Sequence, residues 1–146
     1  MRRITATFDE DTGHACYLYR ASNGKVYWGE AMCHPDDEEF MSKFTGVHIA
    51  KMRCMIEYAK DEKTRIYGKL QGIKQVYYSI IQSKNFNKDN YESKMIYRQM
   101  KLIEEEYKDI CDSITELKNS LKVYLDSKAA FQKDIINKRK KNSSNN

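Results

Sequence analysis

The chain has 146 residues, a net charge of +5, 32% charged and 40% apolar side chains, and a single proline. That length holds one domain, or one small domain with a helical extension, and the composition excludes a disordered or loop-rich chain. No stretch approaches the roughly 18 apolar residues needed to cross a bilayer, so the chain is expected to be cytoplasmic with no membrane partner.

Residues 2–8 alternate Ile4, Ala6 and Phe8 with Arg3, Thr5 and Thr7, the period-2 pattern of a half-buried strand. Residues 14–21 and 25–33 flank Ser22-Asn23-Gly24, and Asn-Gly is a strong hairpin signal because both turn positions take positive φ. A two-residue turn predicts Tyr19 opposite Trp28, Cys16 opposite Ala31 and His14 opposite Cys33. One face then carries Cys16, Leu18, Tyr27, Gly29, Ala31 and Cys33, small enough for a helix to approach. The other carries Ala15, Tyr17, Tyr19, Val26, Trp28, Glu30 and Met32.

After Cys33-His34-Pro35, the acidic run Asp36 to Glu39 suits the positive end of a short helix. Thr45-Gly46 opens a long helix. Ile49, Ile56, Leu70 and Tyr77 form one heptad column, and Met52, Ala59, Ile66, Ile73 and Ile80 the next. A second stripe, Val47, Ala50 and Cys54, is expected to dock on the small-residue face of the sheet. The polar stretch Ser83 to Asn90 reads as a hairpin loop. A second helix, from about Tyr91 to Asn137, carries Ile96, Ile103, Ile110, Leu117, Tyr124 and Phe131 in one column and Met100, Tyr107, Ile114, Leu121 and Ile135 in the other, the signature of a coiled-coil seam. Folding back at the loop brings Tyr124 or Leu125 level with Ile49, so Phe131 and Ile135 overhang the first helix and need the sheet or another subunit to cover them.

Together these elements define an α+β chain in which an N-terminal three-stranded antiparallel sheet packs on a long antiparallel coiled-coil helical hairpin. Residues 1–44 form the sheet head with its short acidic helix. Residues 45–137 form the hairpin with a loop near 83–90, and residues 138–146 a disordered basic and polar tail. The head carries 5 basic and 8 acidic side chains and residues 45–146 carry 21 and 13, a basic excess that permits phosphate-bearing ligands without demanding them.

Four cysteines, at positions 16, 33, 54 and 111, lack paired spacing and read as free thiols in a reducing compartment. A zinc site can be drawn from His14, Cys16 and Cys33, but the local Cys-x2-Cys or His-x3-His pairs of such sites are missing, and no metal or other cofactor is expected. No glycine-rich phosphate loop, nucleophile elbow or His-Glu-x-x-His stretch occurs, so the chain is expected to be non-enzymatic, with no catalytic residues. Two binding patterns remain. Tyr17, Tyr19 and Trp28, with Arg3 on the neighbouring strand, form a candidate stacking platform for a base. Lys43 to His48, with Lys51 and Arg53 one to two turns on, form a candidate phosphate site at the start of the first long helix, with helix capping and packing as the alternative use of those residues.

The run Gly29-x-Ala31-x-Cys33-His34-Pro35-x-Asp37-x-x-Phe40, then Gly46-x-x-Ile49-Ala50-x-x-Arg53, resembles a module of small phage and prophage proteins of Gram-positive bacteria. It also looks like a double-stranded-RNA-binding-domain core without its first helix. The resemblance implies a counter-defence protein acting by stoichiometric binding inside the bacterial host cell. Its partner would be a nucleotide immune signal, held at a subunit boundary of a homo-oligomer that is at least a dimer. The alternatives are an inhibitor that blocks a CRISPR nuclease effector or another bacterial defence protein by direct contact, and a structural coiled-coil adaptor.

Overall fold

A computed structural model describes residues 2–32, 43–83 and 90–144. The chain is α+β: β1 (Arg3–Phe8), β2 (His14–Arg20) and β3 (Val26–Met32) form an antiparallel sheet in the order β1-β2-β3, followed by the long helices α1 (Lys43–Ile81) and α2 (Tyr91–Ser144). It divides into two compact units, Met1–Glu57 with Glu116–Asn146, and Tyr58–Thr115. The expected acidic helix at residues 36–39 and most of the loop near 83–90 lie outside the described residues.

In the first unit the sheet is a simple meander with local turn chemistry. Asp9 closes the β1–β2 connection: its Oδ1 accepts the Asp11 amide at 2.9 Å while its carbonyl accepts the Gly13 amide at 2.8 Å. The β2–β3 turn differs from the sequence expectation. Ala21 and Lys25 close a three-residue loop, with the Ala21 amide donating to the Lys25 carbonyl at 2.9 Å and the Gly24 amide to the Ala21 carbonyl at 3.0 Å. Gly24 has φ +86°, but no non-glycine residue among the described residues takes positive φ. Asn23 therefore cannot share a two-residue turn with Gly24; instead its Oδ1 accepts the Lys25 amide at 3.0 Å.

The extra loop residue moves the register by one. Leu18, not Tyr19, faces Trp28; Tyr17 faces Gly29; Ala15 faces Ala31; and His14 faces Met32. A one-residue slip turns every side chain of β2 to the opposite face. The inner face, covered by α1, therefore carries Ile4, Ala6, Phe8, Ala15, Tyr17, Tyr19, Tyr27, Gly29 and Ala31. Leu18 and Cys16 move to the outer face with Trp28 and Glu30.

The stripe expected on α1 docks where the small residues are. Ala15, Ala31 and Ala50 are the buried centre, with Phe8, Tyr17, Val47 and Ile49 packed around them. The approach is close enough that a Cβ on Gly29 would overlap the Ala50 carbonyl and lie 2.5 Å from the Cys54 amide nitrogen. Arg53 adds a hydrogen bond, its Nη1 donating to the Glu30 carbonyl at 2.7 Å.

Cys54, 1% exposed, points its Sγ at the Tyr27 carbonyl at 3.4 Å. Burial pushes its thiol pKa up, and burial together with the nearby Cys54 pushes the Tyr17 phenol up. An unfolded thiol loses its proton at about pH 8.5, whereas the folded one holds it to higher pH. Above that point the unfolded state binds fewer protons, so stability falls as pH rises. Melting temperature is expected to be insensitive to Cys54 ionisation below about pH 8 and to decline above it. Cys54→Ala, although less stable at neutral pH, removes part of that alkaline decline; equal slopes for the two proteins would contradict this.

In the first unit the helices also meet, with the His48 ring edge-on to Tyr124 at 4.7 Å. This is the level expected from folding back at the loop. In the second unit, ring pairs Tyr67–Tyr107 at 5.8 Å and Tyr77–Tyr97 at 5.7 Å run in opposite chain directions, as an antiparallel helix pair requires. Ile66, Leu70, Met100 and Ile114 are buried on the seam. One expectation about α2 is corrected and another is narrowed. Residues 138–144 continue the helix rather than forming a disordered tail, with Lys138 and Asp134 paired at 3.2 Å one turn apart. Phe131 is 60% exposed, so the sheet does not cover it.

Candidate functional site

Residues expected to act together separate into three places. Tyr17 and Tyr19 lie on the inner face of the sheet; Trp28 and Arg3 lie on the outer face. The aromatic platform of Tyr17, Tyr19 and Trp28 is thus divided by the sheet itself, because the turn adds a residue. Tyr19 instead stacks on Tyr27, its cross-strand partner, at 6.5 Å. Arg53 is committed to the Glu30 carbonyl and pins α1 to β3.

Lys43, His48 and Lys51 do converge. With Ala6, Phe44 and Val47 they line an open cleft of about 630 Å³ in the first unit, between β1 and the start of α1. Spacings of four on α1 align Lys43, Val47 and Lys51, with Phe44 and His48 alongside. On the sheet side, Ala6 is a short side chain between Ile4 and Phe8, which leaves the notch.

Ring geometry orders one wall of the cleft. Phe44 and His48 are parallel within 2° at 6.0 Å between centroids. His48 also meets Tyr124 edge-on at 4.7 Å, and the Lys128 ammonium sits 5.4 Å over the Tyr124 ring. The Tyr124 hydroxyl is buried without a hydrogen-bond partner among the described residues, an arrangement that costs about 1–3 kcal/mol. Phe44 is largely exposed and presents an open aromatic face.

Among the described residues the lining holds two ammonium groups and one imidazole, and no carboxylate. Such a site attracts anions, and the flat Phe44–His48 pair suits a planar ring beside the charge. It offers no nucleophile held against a base. Cys54, the most buried thiol among the described residues, lies under the sheet with its pKa raised, the wrong direction for activation. Of the drawn zinc ligands, Cys33 lies outside the described residues. His14 Nε2 instead lies 3.7 Å from Glu30 Oε2, and no group of three potential ligands occurs among the described residues.

Phe44, Ala6 and Val47 complete the cleft; Phe44 and Val47 lie within the expected Lys43 to His48 segment, but no aromatic wall was expected from Phe44 and no part in the site from Ala6. The Phe44–His48 spacing of four residues on one helix was the available signal. No helix among the described residues is long and apolar enough to cross a membrane. The chain matches no protein-family model, and no curated protein or solved structure is significantly similar to it.

Proposed function

We propose that the chain is a non-catalytic binding protein that holds a nucleotide-type ligand in the Lys43–Phe44–His48–Lys51 cleft. It works by stoichiometric sequestration, as a phage-derived counter-defence protein removing a nucleotide immune signal in the host cytoplasm. The observation that carries this reading is the meeting of two lysines, an imidazole and an exposed aromatic ring in one cleft that, among the described residues, is lined by no carboxylate. Its volume falls within the roughly 300–1,000 Å³ usual for small-molecule sites. Phosphate would meet Lys43 and Lys51, and the base would lie against Phe44 and His48.

Mass spectrometry of small molecules released from the purified chain, after incubation with extract of immune-activated cells, tests this. A retained nucleotide is the expected result, and its absence counts against sequestration. A second reading rests on the exposed apolar residues of α2, Val123, Phe131 and Ile136. These fit contact with a second copy, as in a homo-oligomer, or direct blocking of a defence protein.

A further inference from the structure

The outer face of the sheet has no part in the cleft, and its register gives it a definite chemical polarity. Row by row it carries Arg3–Arg20–Val26, then Thr5–Leu18–Trp28, then Thr7–Cys16–Glu30, with His14 and Met32 beyond. At one end two guanidiniums stand directly opposite each other on neighbouring strands. Like charges so placed repel, and neither has an ion-pair partner among the described residues. The single acidic side chain of the face lies at the other end, where His14 approaches it at 3.7 Å. Between the ends, Trp28 is 58% exposed, an unusual position for the only tryptophan in the chain.

We propose that this face binds single-stranded nucleic acid, with phosphate bridging Arg3 and Arg20 and a base stacked on Trp28 beside Leu18. An anion offsets the repulsion between the guanidiniums, and their planar forks match phosphate oxygens. Size decides against a folded protein as the occupant. Three strands about 4.8 Å apart and about 3.3 Å per residue give a face of roughly 300 Å². A stable protein partner needs about 800 Å², whereas a short stretch of stacked bases fits a three-stranded sheet. This surface uses none of the cleft residues and stands whether or not the cleft binds a nucleotide.

Because Trp28 is the only tryptophan, its fluorescence reports this face alone. Titrating the full chain with single-stranded oligo(dT) of about eight nucleotides is expected to quench it, with affinity falling as salt rises. Trp28→Ala, read by anisotropy of labelled oligonucleotide, weakens binding about ten- to a hundredfold. Arg3→Ala/Arg20→Ala weakens it and makes the slope of log affinity against log salt shallower by about 0.7, the value for the one phosphate the two guanidiniums share. Arg3→Lys/Arg20→Lys keeps most of that slope. Lys69→Ala, at an exposed lysine that belongs to neither the sheet nor the cleft lining, leaves oligonucleotide binding unchanged. All of these side chains are exposed apart from the affected contacts, so circular dichroism of each variant should match the parent. An absence of quenching, an unaltered salt slope in the double arginine-to-alanine variant, or quenching by an acidic peptide but not by the oligonucleotide would overturn the proposal.

Discussion

Gly29→Ala is expected to destabilise the first unit by about 3 kcal/mol, the upper part of the usual range for overpacking. The new methyl would overlap the Ala50 carbonyl and lie 2.5 Å from the Cys54 amide nitrogen. Both neighbours are helix backbone rather than flexible side chain, so relief requires α1 to lift from β3. That movement would stretch the Arg53–Glu30 bond and open the Ala15–Ala31–Ala50 centre. A fall in melting temperature on the order of 10 °C would follow for a chain of this size. Gly68 and Gly72, also glycines but in α1 with open space around them, provide the opposite case. Alanine there is expected to stabilise by up to about 1 kcal/mol through helix propensity. Differential scanning calorimetry of the three single variants reads the contrast, and a Gly29→Ala protein as stable as the parent would refute the close docking of α1.

Ile66→Asp is expected to cost several kcal/mol and to abolish cooperative melting of the second unit. Ile66 is 3% exposed, and a carboxylate placed there loses its hydration, which costs several kcal/mol when no buried cation compensates. Ile110 and Leu117, conspicuous in the heptad pattern, are only half-buried, so Asp at either should have a smaller effect. Lys69→Asp, on the exposed side of the same helix, should change stability by about 0.5 kcal/mol. Urea unfolding followed by circular dichroism separates these positions. Equal midpoints for Ile66→Asp and Lys69→Asp would dismiss the seam.

The helices were legible because a seven-residue repeat survives local irregularities: Ile66, Leu70, Met100 and Ile114 all reach the interior as spaced. The α1 stripe Val47–Ala50–Cys54 was legible from its helical spacing, and the inward set of β1 from its period-2 alternation. The faces of β2 were not. His14-Ala15-Cys16-Tyr17-Leu18-Tyr19-Arg20 has apolar side chains at both odd and even positions, so alternation could not choose the buried face, and the turn had to. Reading Asn23-Gly24 as a two-residue turn reversed that choice, exchanging Ala15, Tyr17 and Tyr19 with Cys16 and Leu18.

Half of the candidate cleft was visible because Lys43, His48 and Lys51 recur along one stretch of helix. Its aromatic wall depends on pairs far apart in sequence, such as His48 with Tyr124. The helical residues 138–144 were missed because their polarity outweighed the good helix propensity of lysine and arginine.

Isothermal titration of the full chain against a panel of cyclic mono-, di- and trinucleotides tests the central claim most directly, with Lys43→Ala/Lys51→Ala measured alongside. At least one member is expected to bind saturably, and the double variant to weaken it by roughly tenfold or more, because each charge-assisted contact contributes about 1.5–3 kcal/mol when well formed and less when exposed. Failure of every member to bind, or binding that the double variant leaves unchanged, would contradict the cleft as the site of sequestration.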